Sequence, residues 1–526
     1  MANASLQIGN GNWAIKEDNL LGYSKAGTRF LPIPITMTRA TLGTRVNPSG
    51  LVEDVALLGD ELVTNGDFAT DSNWSKGTGW TIANGVASQS GGNATLQQSG
   101  ILTANKIYKL VFEITEITSG SVRCYFGGNY STYRSSTGTY TEYITNGSTS
   151  TFFIQGNASF TGSIDNVSVK EATIDGLARV DYTDGTASLL VEPERRNLIT
   201  YSEDFSNASW LKLNSTVNPN TSVSPDGTLN SDEFIPDNTT ASIFIYNQIT
   251  FSASDYTLSF FIKYNGRQYV QLLFGSNVSF DFSNFDLINH TVTSGNGNIE
   301  DYGNDWYKIS LTSNVSAGSS EVYLWSIDSA TSLRASSSTG NGTDGYYVYG
   351  GQLEQGSYPT SYIKTQGSSV TRNQDEYTKT GISDKINSEE GVLFLEIAAL
   401  SNDGTSRCIS IFQNASNFIK FIYSASSNRV DFVAFSDGNV SCNITKVISN
   451  TTENTKFGLK WKVNDFALWI DGTEVGTDLS GDAPLGMDKM YFTDEGGSGN
   501  KFFGKVKQLQ IFKTALSDLE LATLTS

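Results

Sequence analysis

The sequence predicts an all-β protein in which several β-sandwich (jelly-roll) domains follow in tandem, one is inserted into another unit, and one short helix lies near the C-terminus. Composition is the first reason. The 526 residues include 50 Gly but only 9 Pro, which indicates many turns, and 29 Phe, 24 Tyr and 8 Trp, which supply several cores. Periodicity is the second reason, because alternating apolar and polar segments recur about every ten residues, as in sandwiches.

Individual segments show both kinds of element. The alternation is clearest in residues 106–114, which reads as a half-buried strand with one apolar face. That face consists of Tyr108, Leu110, Phe112 and Ile114. Near the C-terminus, Ser517 and Glu520 have the spacing of a capping box, in which each side chain satisfies a backbone donor of the first helical turn. This pattern predicts a short helix over residues 517–524.

The strand blocks divide the chain into six segments. Changes of pattern and turn-rich stretches set the boundaries. The predicted segments are an N-terminal attachment or assembly arm (1–35), the first half of a framework unit (36–60), an inserted jelly roll (61–171), the second half of the framework unit (172–196), a second jelly roll (197–370) and a third sandwich (371–526).

The two jelly-roll segments open in a similar way. Residues 61–64 (ELVT) precede Trp74, and residues 197–200 (NLIT) precede Trp210 with the same spacing and an Asp-Phe pair in between. We interpret this as one module used twice, although no period short enough for a solenoid exists. Both tryptophans are predicted to be core residues.

Several short stretches resemble a recurring element of bacteriophage structural proteins, commonly tail-fibre or virion-appendage chains. The two main stretches lie in residues 38–53 and 178–205, and the resemblance continues at 349–354, 359–363 and 370–372. In that family the first two stretches normally lie close together in sequence, whereas here residues 61–171 separate them. The resemblance therefore implies that residues 61–171 are an insertion, which a sandwich with neighbouring termini allows.

The separate blocks have resemblances of their own. Residues 165–167 (DNV) are similar to the last strand of galactose-binding-like, carbohydrate-binding jelly rolls, and residues 466–472 and 504–520 resemble concanavalin A-like, laminin-G-like sandwiches. Together these resemblances imply a homotrimeric virion appendage such as a tail fibre. Its arm would bind other virion proteins, and its sandwiches would bind glycans on the host surface during host attachment. No heptad repeat supports the trimer from the residues themselves.

Charge and motifs exclude several other functions. The net charge of −19 and a pI near 4.5 oppose binding to nucleic acid. No signal-peptide pattern and no apolar run of about 18 residues is present, so we expect no membrane insertion and a virion assembled in the host cytoplasm. His290, the only histidine, reads as an ordinary strand residue. With no hydrolase motif around it, we expect no enzyme activity.

Candidate sugar-binding residues are aromatic side chains with polar neighbours. Aromatic faces stack on sugar rings, and Asn, Asp, Gln or Arg bind the hydroxyls. In the first jelly roll, Tyr125, Tyr130, Tyr133 and Arg134 cluster around the turn at Gly127-Gly128, and in the third block Trp469 points away from its apolar neighbours. Core packing or plain surface exposure is the alternative for the first group, and a covered aromatic or a subunit contact is the alternative for Trp469.

No cofactor is expected. A structural calcium ion fits Asp-rich loops in principle, but the Asp-x-Asn-x-Asp-Gly loop is absent, and the sequence names no metal ligands. Two other functions stay open. One is a purely structural virion protein, such as a head fibre or decoration protein, that binds no sugar. The other is an exported adhesin or glycosidase.

Overall fold

The computed structural model describes residues 3–10, 13, 15–16, 19–26, 29–497 and 499–526. Strands account for 54% of the residues and helix for 2%, which confirms the all-β prediction. The single described helix has eight residues, so no helix in these ranges could cross a bilayer.

The first seven strands lie before the first jelly roll. Pro32 and Pro34 pair with a neighbouring strand on one side only, as residues without an N–H group require. The strands are β1 (Leu6–Gly9), β2 (Ile15–Lys16), β3 (Asn19–Ala26), β4 (Arg29–Thr38), β5 (Thr44–Val46), β6 (Val52–Asp54) and β7 (Leu57–Glu61).

The first sandwich follows, with two sheets around one core. Its strands are β8 (Ser75–Lys76), β9 (Trp80–Ala83), β10 (Val86–Ser90), β11 (Thr95–Gln98), β12 (Ile107–Ser119), β13 (Val122–Phe126), β14 (Asn129–Tyr130), β15 (Gly138–Thr145), β16 (Phe152–Gly156) and β17 (Thr161–Thr173). One sheet has the order β15-β12-β17-β10-β9, with β7 added beside β17, and the other has the order β14-β13-β16-β11-β8. The predicted apolar face of β12 is buried in the core between them.

Three short strands connect the first sandwich to the second. They are β18 (Arg179–Asp181), β19 (Ser188–Val191) and β20 (Arg195–Asn197).

The second sandwich is larger and has two sheets of six strands. Its strands are β21 (Leu211–Leu213), β22 (Ser215–Val223), β23 (Leu229–Pro236), β24 (Thr240–Ala241), β25 (Phe244–Phe251), β26 (Ser254–Asn265), β27 (Tyr269–Phe274), β28 (Phe282–Asp286), β29 (Thr291–Ser294), β30 (Asn298–Asp301), β31 (Tyr307–Val315), β32 (Gly318–Ser326), β33 (Ser338–Thr339) and β34 (Gly345–Gln355).

The sheets of the second sandwich have the orders β21-β25-β32-β27-β28-β29 and β22-β23-β34-β26-β31-β30. His290 lies in the turn between β28 and β29 with a φ of +54°, and its ring stacks on Tyr307 at 4.1 Å. The strand prediction for His290 was therefore wrong. The alternation of apolar and polar residues continues through the turn, so the sequence pattern does not show that the chain reverses direction there.

The last part of the chain supplies twelve strands and the helix. They are β35 (Val370–Arg372), β36 (Glu376–Lys379), β37 (Glu390–Ala399), β38 (Arg407–Asn414), β39 (Asn417–Tyr423), β40 (Arg429–Ser436), β41 (Asn439–Val447), β42 (Thr455–Lys462), β43 (Phe466–Ile470), β44 (Thr473–Asp478), β45 (Lys489–Tyr491), β46 (Gly504–Phe512) and α1 (Asp518–Thr525). The Glu520 carboxylate accepts hydrogen bonds from the Ser517 N–H and hydroxyl, which confirms the predicted capped helix.

The two sandwiches share one structural signature at their openings. The Trp74 indole Nε1 donates to the Asn65 carbonyl at 2.9 Å, and the Trp210 indole Nε1 donates to the Tyr201 carbonyl at 2.7 Å. Each acceptor lies nine residues before its tryptophan, and both rings are buried in their cores. The predicted core role of both tryptophans is confirmed.

The third sandwich is discontinuous in sequence. One layer contains β44, β43, β42, β37 and β46, and the far edge of β46 pairs with both β1 and β19. The other layer has the order β4-β36-β45-β38-β39-β40-β41, and β3 pairs with both β1 and β4. We call this body the framework sandwich. It takes strands from residues 6–38, 179–191 and 376–512.

This arrangement corrects two expectations. Residues 1–35 were predicted to form a separate arm, but Leu6–Gly9 pairs with β46, so the described N-terminal strands belong to the framework sandwich. The second jelly roll was predicted to lie in tandem, but β20 pairs with β35 on either side of it. Residues 198–369 are therefore an insertion as well. Local sequence patterns do not reveal either pairing, because the partners lie more than 150 residues apart.

A buried ion network joins the segments of the framework. Arg179 contacts Glu192 at 2.6 Å and also Asp375, while Arg39 contacts Asp375 at 2.8 Å and Arg372 contacts Glu192 at 2.9 Å. All five side chains are buried. Burial alone would raise the pKa of Glu192, but the charges of Arg372 and Arg179 lower it well below its usual value. The stretches of the sequence that resemble the phage element meet at this network.

We expect Arg179→Met to lower the free energy of unfolding of the framework by about 2–3 kcal/mol, because it removes the buried guanidinium that bridges Glu192 and Asp375 and leaves each carboxylate with a single arginine partner. Arg429→Met is the matched control. Arg429 is half-exposed and pairs with Asp431 at 2.8 Å, so its loss should cost less than about 1 kcal/mol. Urea unfolding followed by circular dichroism measures both. Equal stability of the two variants would contradict a structural role for the network.

Candidate glycan-binding surface

The best candidate surface is the outer face of the sheet β14-β13-β16-β11-β8 in the first sandwich. Along β13, Val122, Cys124 and Phe126 point into the core. The residues between them, Arg123 and Tyr125, therefore point outward, because successive side chains of a strand alternate between faces.

One row of this face runs straight across the sheet. The register places Tyr130 opposite Tyr125, Tyr125 opposite Phe153, and Phe153 opposite Gln97. The rings of Tyr125 and Phe153 stack in parallel, with centroids 4.2 Å apart and an interplanar angle of 11°, and Tyr130 meets Tyr125 edge-on at 5.0 Å. The neighbouring row contains Arg123 and Gln155, which lie opposite each other.

Arg123 lies at one end of this surface and contacts two of its tyrosine rings. Its guanidinium carbon lies 3.6 Å from the ring centre of Tyr130 and 4.4 Å from that of Tyr133, so the cation contacts both rings. Tyr130 is 42% exposed and Tyr133 is 43% exposed. We call Tyr125, Tyr130, Tyr133 and Phe153 the aromatic platform. It combines partly exposed aromatic rings with the side-chain amides of Gln97 and Gln155 nearby.

Arg134 does not belong to this surface. It is 8% exposed, its guanidinium pairs with Glu142 at 2.7 Å, and it also donates to the Gln366 side chain in the segment between β34 and β35. The Thr132 hydroxyl donates to the Gln366 carbonyl at 3.0 Å. Arg134 therefore holds the loop that carries Tyr133 against the chain at residue 366. Its predicted direct contact with a sugar does not fit this position.

Trp469 does not offer a ring face either. It points away from the framework core, as its strand pattern predicts, but Leu516 and Leu521 of the C-terminal segment cover it. The side chain is 7% exposed. The sequence left open a sugar-binding ring, a covered aromatic or a subunit contact for Trp469, and this burial fits the covered aromatic and does not fit sugar stacking.

Sequence reasoning missed Arg123, Phe153, Gln97 and Gln155. Arg123 and Phe153 alternate with buried residues along β13 and β16, but this pattern alone does not distinguish them from ordinary outward-facing residues. The register between strands that brings them together is not visible in the sequence.

The corresponding sheet of the second sandwich provides an internal comparison. Its outward aromatic residues also stack, with Phe244 and Trp325 at 4.2 Å and Tyr246 and Tyr323 at 5.4 Å. Residues 328–337 cover part of this face, since the Trp325 indole donates to the Ser336 carbonyl at 2.8 Å. The face of the first sandwich is the more open of the two.

A cavity of about 590 Å³ lies where the framework meets the second sandwich. Two of the lysines that line it have partners within the protein: Lys308 Nζ donates to the Thr360 carbonyl at 2.5 Å, and Lys505 pairs with Asp184 at 2.7 Å. Burial lowers the pKa of Lys308.

Within the described ranges, no three His, Cys, Asp or Glu side chains lie close enough together to hold a metal ion. Cys124, Cys408 and Cys442 are buried thiols without disulfide bonds.

Comparison with known proteins gives only distant likenesses. No family model and no curated protein matches the chain. Among solved structures, the CBM40 module of the Ruminococcus gnavus IT-sialidase, bound to α2,3-sialyllactose, is 17% identical and has a TM-score of 0.23. That match covers 27% of this chain and 84% of the module.

Two further structures are similar at the same level. The N-terminal CBM22-1–CBM22-2 tandem domain of Xyn10C from Paenibacillus barcinonensis is 11% identical over 57% of this chain and 98% of that chain, with a TM-score of 0.21. The leech intramolecular trans-sialidase is 18% identical over 26% and 23%, with a TM-score of 0.23. Carbohydrate-binding modules thus occur among the neighbours, but TM-scores this low carry no argument about function.

We expect Trp469→Ala to destabilise the framework by about 3–5 kcal/mol, because it removes a buried ring beneath the C-terminal helix. Tyr133→Ala, which removes an exposed ring, should change stability by less than about 1 kcal/mol. Urea unfolding of the two variants tests the assignment. A neutral Trp469→Ala variant would show that the ring is open to solvent after all.

Proposed function

We propose that the protein binds glycans through the aromatic platform of its first sandwich. The observation that carries this proposal is the row of side chains across the sheet, in which three aromatic rings lie in register beside Gln97. The platform presents a largely apolar surface that suits the C–H face of a sugar ring, and its most exposed rings are those of Tyr130 and Tyr133.

Polar groups surround the platform in the manner that sugar hydroxyls require. The amides of Gln97 and Gln155 each offer donors and an acceptor, and Arg123 offers donors only. Tyr125, Tyr130 and Phe153 belong to one continuous sheet, so the strands hold these side chains at fixed spacing. A fixed site loses little conformational entropy when a ligand binds.

The finer proposal is that the protein is a virion appendage, such as a tail fibre, that attaches the particle to the host. It rests on the sequence resemblance in the segments that form the framework and on the two glycan-module-like sandwiches inserted there. Weak sugar sites gain avidity when several copies act together, which favours a trimer. Mass spectrometry of purified phage particles tests the virion role, and absence of the chain from all particles would exclude it.

We expect Tyr130→Ala to weaken glycan binding at least tenfold, which corresponds to about 1.4 kcal/mol, because it removes an exposed ring of the platform. A glycan array identifies the ligand for the full-length protein, and calorimetry then measures its affinity. Tyr264→Ala is the matched control, since Tyr264 is 43% exposed on the second sandwich. Unchanged binding by Tyr130→Ala would reject the platform as the site, and a uniformly silent array would favour the purely structural alternative.

Native mass spectrometry tests the assembly. We expect a species of three times the chain mass of 57.0 kDa at micromolar concentration. A monomer under these conditions would remove the basis for avidity within one appendage.

A further inference from the structure

Two half-buried arginines, Arg123 and Arg334, differ from the other buried and half-buried arginines of this protein in their charge partners. Within the described ranges, every other buried or half-buried arginine lies within 4 Å of a carboxylate oxygen, whereas Arg123 and Arg334 have no such partner. The paired arginines are Arg39, Arg45, Arg134, Arg179, Arg195, Arg267, Arg372, Arg407 and Arg429. In a chain with 54 acidic and 35 basic residues, an unpaired half-buried cation is unexpected.

Arg123 is held in place without being neutralised. Its Nε atom is buried and has no hydrogen-bond acceptor. Its terminal nitrogens donate to no described residue. The rings of Tyr130 and Tyr133 attract the cation, but they supply no negative charge and no in-plane acceptor. The guanidinium is therefore positioned at the platform with its hydrogen-bonding capacity unused.

Arg334 repeats this arrangement on the second sandwich. It lies in the loop 328–337 over the corresponding sheet, with its guanidinium carbon 5.7 Å from the ring centre of Phe280. It donates to the Phe274 carbonyl, and its Nε atom is buried without an acceptor. Both unpaired arginines thus lie next to aromatic rings on equivalent faces of the two modules.

We infer that the platform binds an acidic glycan, with the carboxylate of a sugar accepting hydrogen bonds from Arg123 while the sugar ring packs against the platform. This inference rests on the proposed function of the same surface. A carboxylate matches a guanidinium in charge and geometry, since it accepts two parallel hydrogen bonds. A neutral sugar would leave the half-buried cation without a counter-charge, which is costly.

The test uses the full-length protein and an array of matched glycans, in which each uronic- or sialic-acid glycan stands beside its carboxyl-reduced, neutral counterpart. We expect the acidic form to bind at least tenfold more tightly and its advantage to shrink as the salt concentration rises. Arg123→Gln should lower the affinity for the acidic form at least tenfold and abolish the preference, whereas the affinity for the neutral form should fall by a smaller factor. Lys109→Gln, which removes a cation from the opposite sheet of the same sandwich, should retain the preference.

The outcomes separate this inference from the proposed function. Equal binding of acidic and reduced forms to the wild type would overturn the acidic-glycan inference and leave glycan binding intact. A preference that survives Arg123→Gln and disappears only in Arg334→Gln would also overturn it, because the acidic site would then lie on the second sandwich. Silence of the whole array would reject glycan binding itself.

Discussion

The buried network of Arg39, Arg179, Arg372, Glu192 and Asp375 is the constraint on which the architecture depends. Its members come from three parts of the chain that two inserted sandwiches separate. Because a buried charge without a partner is costly, the network favours the arrangement in which these segments meet. The ends of both inserted sandwiches are thereby held next to the framework. The sequence stretches that together resemble one element, in residues 38–53, 178–205 and 370–372, are therefore far apart in the chain and close together in the fold.

Much of the local structure could be predicted from the sequence, since it depends on neighbours within a few residues. The inward face of β12, the capped helix at Ser517 and the core positions of Trp74 and Trp210 are of this kind. Pairings between distant segments could not be predicted. The contact of Leu6–Gly9 with β46 leaves no local trace, because the two strands look like any half-buried strand.

The candidate site also combines residues that the local sequence predicts with residues that it does not. Tyr125, Tyr130 and Tyr133 could be selected because aromatic residues cluster beside a glycine turn. Arg123 could not, since a lone arginine that alternates with apolar residues looks like an ordinary solvated position. Its significance appears only when the ring contacts and the missing carboxylate are seen together. The strand pattern around Trp469 correctly predicts that its ring points away from the core. It does not show that the ring is covered, because the helix that covers it follows about 50 residues later in the chain.

The pairing of β1 with β46 has a consequence for biosynthesis. Ser5 and Ile511, whose main chains are hydrogen-bonded, lie 506 positions apart in sequence. Each inserted sandwich closes its core with strands of its own segment, so it can fold as soon as it leaves the ribosome. The framework must wait for nearly the whole chain, and its apolar N-terminal strands stay uncovered during that time. A ribosome that stops early would therefore release two folded domains attached to an incomplete framework with exposed apolar strands. Chaperones and proteases recognise exposed apolar segments of this kind.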